Sequence, residues 1–230
     1  MNAAKKVAIL GTGGNSIDIL DTINDVNRLE RSPVYECVGF LDDNASLWGK
    51  DLQGLKVLGP LQDAHELGDC YFVNGIGAPS NFWKKEGIIS KTGVLPDRFE
   101  TIIHPSASVS TTARLGRGVV VFQHVVITSN VQIGSHVIIL PNSVISHDDV
   151  IGDYTCITGG VCISGQVKVG KSCYLGTNSA IVGNVDIGDY CLIGMGSAVL
   201  HTIASNSVVV GNPARFLRHT ADELLTCTTQ

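Results

Sequence analysis

From Ile103 to Val199 every sixth residue is Ile, Leu or Val, an unbroken run of seventeen positions that includes Val121, Ile139, Ile157 and Leu175. At every third step a glycine follows, giving Gly116, Gly134, Gly152, Gly170 and Gly188, so the hexad is nested in an eighteen-residue unit. The pattern predicts a parallel β-helix with triangular coils of three short strands and three corners. The aliphatic residue of each hexad points inward and stacks on its equivalents above and below. Positions four residues later are mostly small or β-branched (Val119, Val125, Val131, Thr155, Val167), as the crowded flank of a narrow prism requires.

The first hundred residues follow another rhythm. Lys5 to Leu10 reads as a buried strand (Val7, Ala8, Ile9, Leu10) that runs into Gly11, Thr12, Gly13, Gly14 and Asn15, then a helix from about Ser16 to Val26. Strand, glycine turn and helix make an anion site, because glycine lets the backbone approach a ligand and the free amides of the helix start face it. A second strand, Tyr35 to Leu41, ends in Asp42 and Asp43, a position where carboxylates bond a ribose or a base. The alternation continues with Val57-Leu58, a short helix from Leu61 to Leu67, a strand from Cys70 to Ile76, a helix around Asn81 to Lys91 and a strand from Phe99 to Ile103. This is half of a Rossmann-like domain, which suits a mononucleotide or sugar nucleotide better than NAD. Gly-x-Gly-Gly is short of the full dinucleotide fingerprint, so residues 11–14 form either a nucleotide site or a plain tight turn.

A chain of 230 residues with a repeat confined to its second half implies two domains: residues 1–102, then the β-helix over 103–212, then a C-terminal tail over 213–230. A net charge of -5 gives no general affinity for nucleic acid. No apolar run reaches the length of a membrane span and no secretory leader opens the chain, so a cytoplasmic protein is expected. Seven cysteines, an odd number, lie mostly in the repeat (Cys156, Cys162, Cys173, Cys191), where they read as small apolar fillers and not as a disulfide framework.

The polar exceptions within the coils are His104, His124, His136, His147 and His201. His147 stands out because Asp148 and Asp149 follow it at a corner, and a carboxylate beside an imidazole fixes its tautomer and raises its basicity. The alternative is a surface histidine beside two solvated carboxylates. His124 and His136 share one phase of the hexad and read as structural or subunit-facing. No two histidines are five apart, the spacing of a β-helical zinc site, so no metal is expected.

The whole chain resembles the hexapeptide-repeat sugar O- and N-acyltransferases, which include sialic acid O-acetyltransferase and the UDP-4-amino-sugar N-acetyltransferases of the bacillosamine type. The resemblance rests on Gly11-Thr12-Gly13-Gly14, Phe40-Leu41-Asp42-Asp43, Ile103-His104-Pro105, Ser146-His147-Asp148 and Val210-Gly211-Asn212-Pro213-Ala214-Arg215. It implies a homotrimer with a left-handed β-helix, acetyl-CoA lying along the coils in clefts between subunits, and a nucleotide sugar held by the N-terminal domain. It further implies His147 with Asp148 as the base, and the backbone N–H of Gly165, one coil later, as oxyanion donor. Two positions depart from the family: Asn15 and Cys156 stand where many members have histidine. The first is expected near the sugar, the second near the acetyl group.

The expected activity is acetyl-CoA-dependent N-acetylation of a UDP- or dTDP-linked amino sugar, by direct attack on the thioester. Cys156 is expected to be packed inward and not to carry an acyl group. O-acetylation of sialic acid or another sugar is the second enzymatic reading. A non-catalytic, nucleotide-sensing trimeric scaffold is the reading from a different class.

Overall fold

The computed structural model describes residues 3–30 and 32–220, an α/β unit followed by a three-faced β-helix. The N-terminal sheet contains Lys5–Leu10 (β1), Tyr35–Leu41 (β2), Asp51–Leu52 (β3), Leu55–Gly59 (β4) and Tyr71–Asn74 (β5) in the order β3-β4-β2-β1-β5. β1, β2, β4 and β5 run parallel, and β3 folds back on β4 as an antiparallel edge. Val7, Ala8, Ile9 and Leu10 are all buried, as a central strand covered on both faces demands.

Helix α1 spans Gly14–Leu29, longer at both ends than the apolar spacing suggests, and buries Ile19, Leu20 and Ile23. Its chain turns extended at Glu30, shortly before Pro33, whose ring disfavours helical backbone in the residue ahead of it. The other two predicted helices are much reduced. Leu61–Glu66 is a 3-10 helix, and Asn81 to Lys91 resolves into a 3-10 turn, Phe82–Lys84, followed by a single α-turn segment, Lys85–Ser90 (α2). Six residues make too few i to i−4 bonds to offset helix nucleation, so tertiary contacts dictate the tighter winding. The strand expected from Phe99 shrinks to Ile102–Ile103, with Phe99 bridging singly to Phe72.

In the β-helix two-residue strands pair in parallel at an offset of eighteen, for example Val126 with Val144 and Ile138 with Cys156. Three faces result. The first runs from Ile102–Ile103 through Ile138–Ile139, Cys156–Ile157 and Tyr174–Leu175 to Ser207–Val210; the second contains Val144–Ile145 and Cys162–Ile163; the third contains Val150–Ile151 and Lys168–Val169. Inward aliphatics from Val121 onward are buried in one continuous core. Ile103 is exposed because no coil lies beneath the first one. Ile102, its neighbour, faces the other way and joins Val7, Ile9, Ile19, Phe40, Val120, Phe122 and Ile138 in the core that glues the sheet to the first face.

The second residue of each corner adopts left-handed backbone with a period of six: Gly118, His124, Asn130, His136, Asn142, Asp148, Tyr154, Gly160 and onward, with φ of +57° to +70° in these eight. Only small, amide or locally bonding side chains tolerate this readily, which explains the run of Asn, Gly and Asp at that phase.

Several expectations are corrected. Of the four repeat cysteines only Cys173 and Cys191 fill the core; Cys162 is exposed, and Cys156 points out of the first face into the junction with the N-terminal unit. Within the expected C-terminal tail over 213–230, Arg215–His219 forms a strand paired antiparallel with Ser207–Val210. The rest of the tail, 221–230, lies outside the described residues.

Candidate active site

His147 and Asp148 form the turn between the second and third faces. Their side chains are 58% and 44% exposed, and His147 Nδ1 lies 2.9 Å from Asp148 Oδ2. Asp148 Oδ1 accepts a bond from Asn130 Nδ2 at 3.0 Å, one coil below. The hydrogen bond to His147, then that from Asn130, holds the Asp148 carboxyl below the usual carboxylate range. A carboxylate anchored from beneath presents its other oxygen to Nδ1, which leaves Nε2 as the basic nitrogen of the neutral ring.

Gly165 lies directly above. A Cβ there would sit 2.5 Å from both Cε1 and Nε2 of His147, so the ring rests on bare backbone that only glycine provides. The Gln166 amide also bonds the His147 carbonyl at 3.0 Å. Gly183 continues the column, and His201 closes it two coils above Gly165. Beside the column, one residue earlier in each coil, Ser146 and Ser164 give way to exposed Val182 and Leu200. A bare, partly apolar strip of surface thus runs up the prism from His147.

Asp149 departs from the expectation of two solvated carboxylates. It is fully buried inside the prism, where Oδ1 accepts the Val167 amide at 2.8 Å and burial pushes the carboxyl up to about 7.

The glycine turn lines a separate cleft of about 520 Å³, shared with Asp42, Asp43, Asn15 and, from the β-helix, Leu140 and Tyr174. That is the size of a small-molecule site. Gly13 caps α1 without any side-chain hydrogen bond, and no acidic residue occupies the first turn, so the positive helix end opens onto the cleft. Gly11, at φ +89° and packed on Ile76, makes the turn; a side chain at Gly13 would project into open space. Thr12 Oγ1 donates to Asp42 Oδ2 at 2.7 Å and the Asn44 amide to Oδ1 at 2.9 Å. Asp43 Oδ1 is held by the Leu61 amide at 3.0 Å. Both carboxylates therefore brace the rim as well as facing the cleft. Asn15 Nδ2 reaches the Gly77 carbonyl at 3.4 Å.

The cleft lies against the first face, whereas His147 sits on the corner opposite that face. The structure therefore groups the predicted residues into two clusters on opposite sides of one prism. Cys156 belongs to neither. It is buried in the junction, 3.6 Å from the Nζ of Lys85, a wholly buried lysine whose basicity desolvation lowers.

The remaining histidines are placed structurally. His136 is buried, stacked on Tyr154 at 5.2 Å and edge-on to Phe99 at 4.5 Å, with its pKa pushed down to about 4 by burial, then by Lys85. His104 bonds Asp25 of α1 at 3.0 Å. His124 and His201 are exposed. The sequence does not single out Asn130 and offers Asp149 only as a carboxylate following His147, although their eighteen-residue offsets to Asp148 and Val167 carry the signal. Nothing in the sequence marks Lys85.

Residues 6–85 match the family model of the PglD N-terminal domain, and residues 166–201 match that of the bacterial transferase hexapeptide, six repeats. The chain thus carries a PglD-type N-terminal domain and bacterial transferase hexapeptide repeats. Among solved structures it resembles PerB from Caulobacter crescentus in complex with CoA and GDP-perosamine, at 25% identity and a TM-score of 0.80, covering 94% of this chain and 99% of that one. The acetyltransferase domain of PglB from Neisseria gonorrhoeae FA1090 in complex with acetyl coenzyme A gives 25% identity and 0.80, covering 94% and 100%. WeeI from Acinetobacter baumannii AYE gives 25% and 0.78, covering 92% and 99%. No curated protein matches the chain.

Proposed function

We propose that this acyltransferase moves the acetyl group of acetyl-CoA to the amine of a nucleotide-linked amino sugar, in the cytoplasm and as a left-handed homotrimer. The observation that carries the reading is a His147–Asp148 pair resting on Gly165 at the foot of a bare surface strip, with a nucleotide-sized cleft elsewhere on the chain. A sugar amine is mostly protonated at neutral pH and attacks a thioester only when a base takes its proton. His147 Nε2 is that base. Asp148 orients the ring and stabilises the imidazolium, and the Gly165 amide faces the developing oxyanion. General-base assistance is worth about 10²- to 10⁴-fold and one oxyanion donor about 2.7 to 4 kcal/mol. The strip past Gly165 and Gly183, flanked by exposed Val182 and Leu200, suits the long pantetheine arm of acetyl-CoA.

The acceptor's nucleotide belongs in the cleft, with its phosphates at the start of α1 and its ribose or base near Asp42 and Asp43. Cleft and base face away from each other within one chain, so a sugar held in the cleft meets the His147 of a second copy. This supports a site made by two chains. The likeness to PerB with CoA and GDP-perosamine supports both substrate classes. The test is CoA release from acetyl-CoA in a panel of UDP-, GDP- and dTDP-amino sugars, with free sialic acid and no acceptor as further arms. Release with a nucleotide amino sugar is expected. Release with sialic acid alone would replace N-acetylation by O-acetylation, and release with no member of the panel would leave the reading without support.

A further inference from the structure

Directly behind the His147–Asp148 turn, a carboxyl occupies a rung that is alkyl in the neighbouring coils. The rung runs Ala113, Val131, Asp149, Val167, Val185. Asp149 is fully buried between Val131 and Val167, both members of the apolar core. A carboxyl persists in such a place only when it is bonded or neutral. Oδ1 accepts the Val167 amide at 2.8 Å, while Oδ2 has no partner among the described residues.

Val167 lies two residues beyond Gly165, on which the His147 ring rests, and next to Gln166, whose amide bonds the His147 carbonyl. Asp149 thus joins from inside the two corners that His147 joins from outside. The same kind of bond occurs elsewhere in neutral form. Thr101 takes the Val119 amide at 3.2 Å and Thr155 the Cys173 amide at 3.0 Å, each giving its own hydrogen to a glycine carbonyl. Threonine suffices for the tie; a carboxyl adds a proton that can leave.

We propose that Asp149 is a positioning residue for acyl transfer: it ties the corner bearing His147 to the corner bearing Gly165 and, in its neutral form, holds imidazole and Gly165 amide at a fixed separation. This rests on the reading of His147 as the base. Burial raises the carboxyl to about 7 against the pull of the Val167 and Ser146 amides. The titratable groups facing it are His147 and Asp148 of its own corner; the corners below and above present Val131 and Val167. Ionisation puts a negative charge behind the imidazole. That favours the imidazolium, which cannot accept the amine's proton, and strains the apolar rung.

The test compares Asp149→Thr, Asp149→Asn and Asp149→Val in the full-length, assembled protein. Threonine reproduces the bond of Thr155, and valine the rung of Val131. The threonine variant is expected to keep kcat within about threefold, whereas the valine variant loses about tenfold or more in kcat with little change in the acceptor's KM. Both the threonine and asparagine variants should move the kcat–pH profile to lower pH, because the charge that favours imidazolium is gone. Hydrogen exchange at the Val167 amide should quicken with valine and not with threonine. A folded valine variant with parental kcat, or threonine and asparagine variants with an unmoved profile, overturns the proposal. If the valine variant fails to fold, the profiles of the other two decide. The exchange readout keeps the two readings apart: full activity of His147→Ala with the expected exchange pattern removes the base assignment and leaves the tie standing.

Discussion

His136 and His147 are eleven residues apart on the same prism, both at corners, and the prism treats them oppositely. His136 has Tyr154 one coil above it and Phe99 at its edge; His147 has Gly165 above it and Asp148 beside it. One ring is sealed and pushed down to about 4, the other is exposed and bonded to a carboxylate. The two rings leave neighbouring positions of a corner, His136 the left-handed second residue and His147 the residue before its left-handed neighbour Asp148. Eighteen places on, an aromatic ring covers the first and a bare glycine the second.

The largest expected break in this comparison is His147→Ala, which should leave the fold intact and lower turnover by at least about a hundredfold, measured as CoA release at saturating substrates. Next comes Gly165→Ala, which gives the His147 column a first trace of what Tyr154 does to His136. Its Cβ cannot coexist with the imidazole where it lies, and a displacement of about 1 Å can cost on the order of 10²-fold in turnover. The same contact shapes complementation. Base and Gly165 belong to one corner stack, so mixing His147→Ala with a Gly165 variant should restore nothing. Mixing His147→Ala with Gly13→Trp, which fills the cleft on the opposite side, should restore turnover if two chains build the site; no recovery despite demonstrated subunit exchange would place the whole reaction within one chain.

Asp148→Asn should be milder than His147→Ala. Asparagine accepts left-handed backbone as readily as aspartate, so at φ +62° the substitution removes charge without straining the corner. A larger loss than that of His147→Ala would reverse the assigned roles. The smallest effect is on stability. The folded state keeps His136 neutral down to about pH 4, whereas an unfolded histidine protonates near 6.5, so its contribution is complete above about 6.5 and is lost as pH falls toward 4. The loss is on the order of 3 kcal/mol. His136→Phe should therefore melt higher relative to the parent at pH 5 than at pH 7.5, and an equal difference at both would contradict the burial argument.

The prism was legible because a six-residue apolar period has one compact solution, and the His147–Asp148 pair was legible because adjacent residues at a turn share a surface. Asp149 was misread by the same adjacency: it lies four residues after Ile145, the offset at which Val131 and Val167 point inward. Cys156 was misplaced by one, since Ile157 takes the inward position and sends its neighbour out to the junction. The two reduced helices, and Lys85 within the second, depend on contacts between distant segments that no local pattern encodes.

A stack of equivalent coils has no intrinsic end, and its last rung offers a row of unpaired amides and carbonyls to any similar chain. Arg215–His219 lies across that row in the reverse direction, with Ala214 bonded to Ala198 and Thr220 to Asn206. A parallel coil from another molecule meets an antiparallel strand carrying Arg215 and Arg218 and finds no matching register. The short hairpin thus closes the end of the first face in the reverse direction, so that face cannot be extended by another coil in the register that built it.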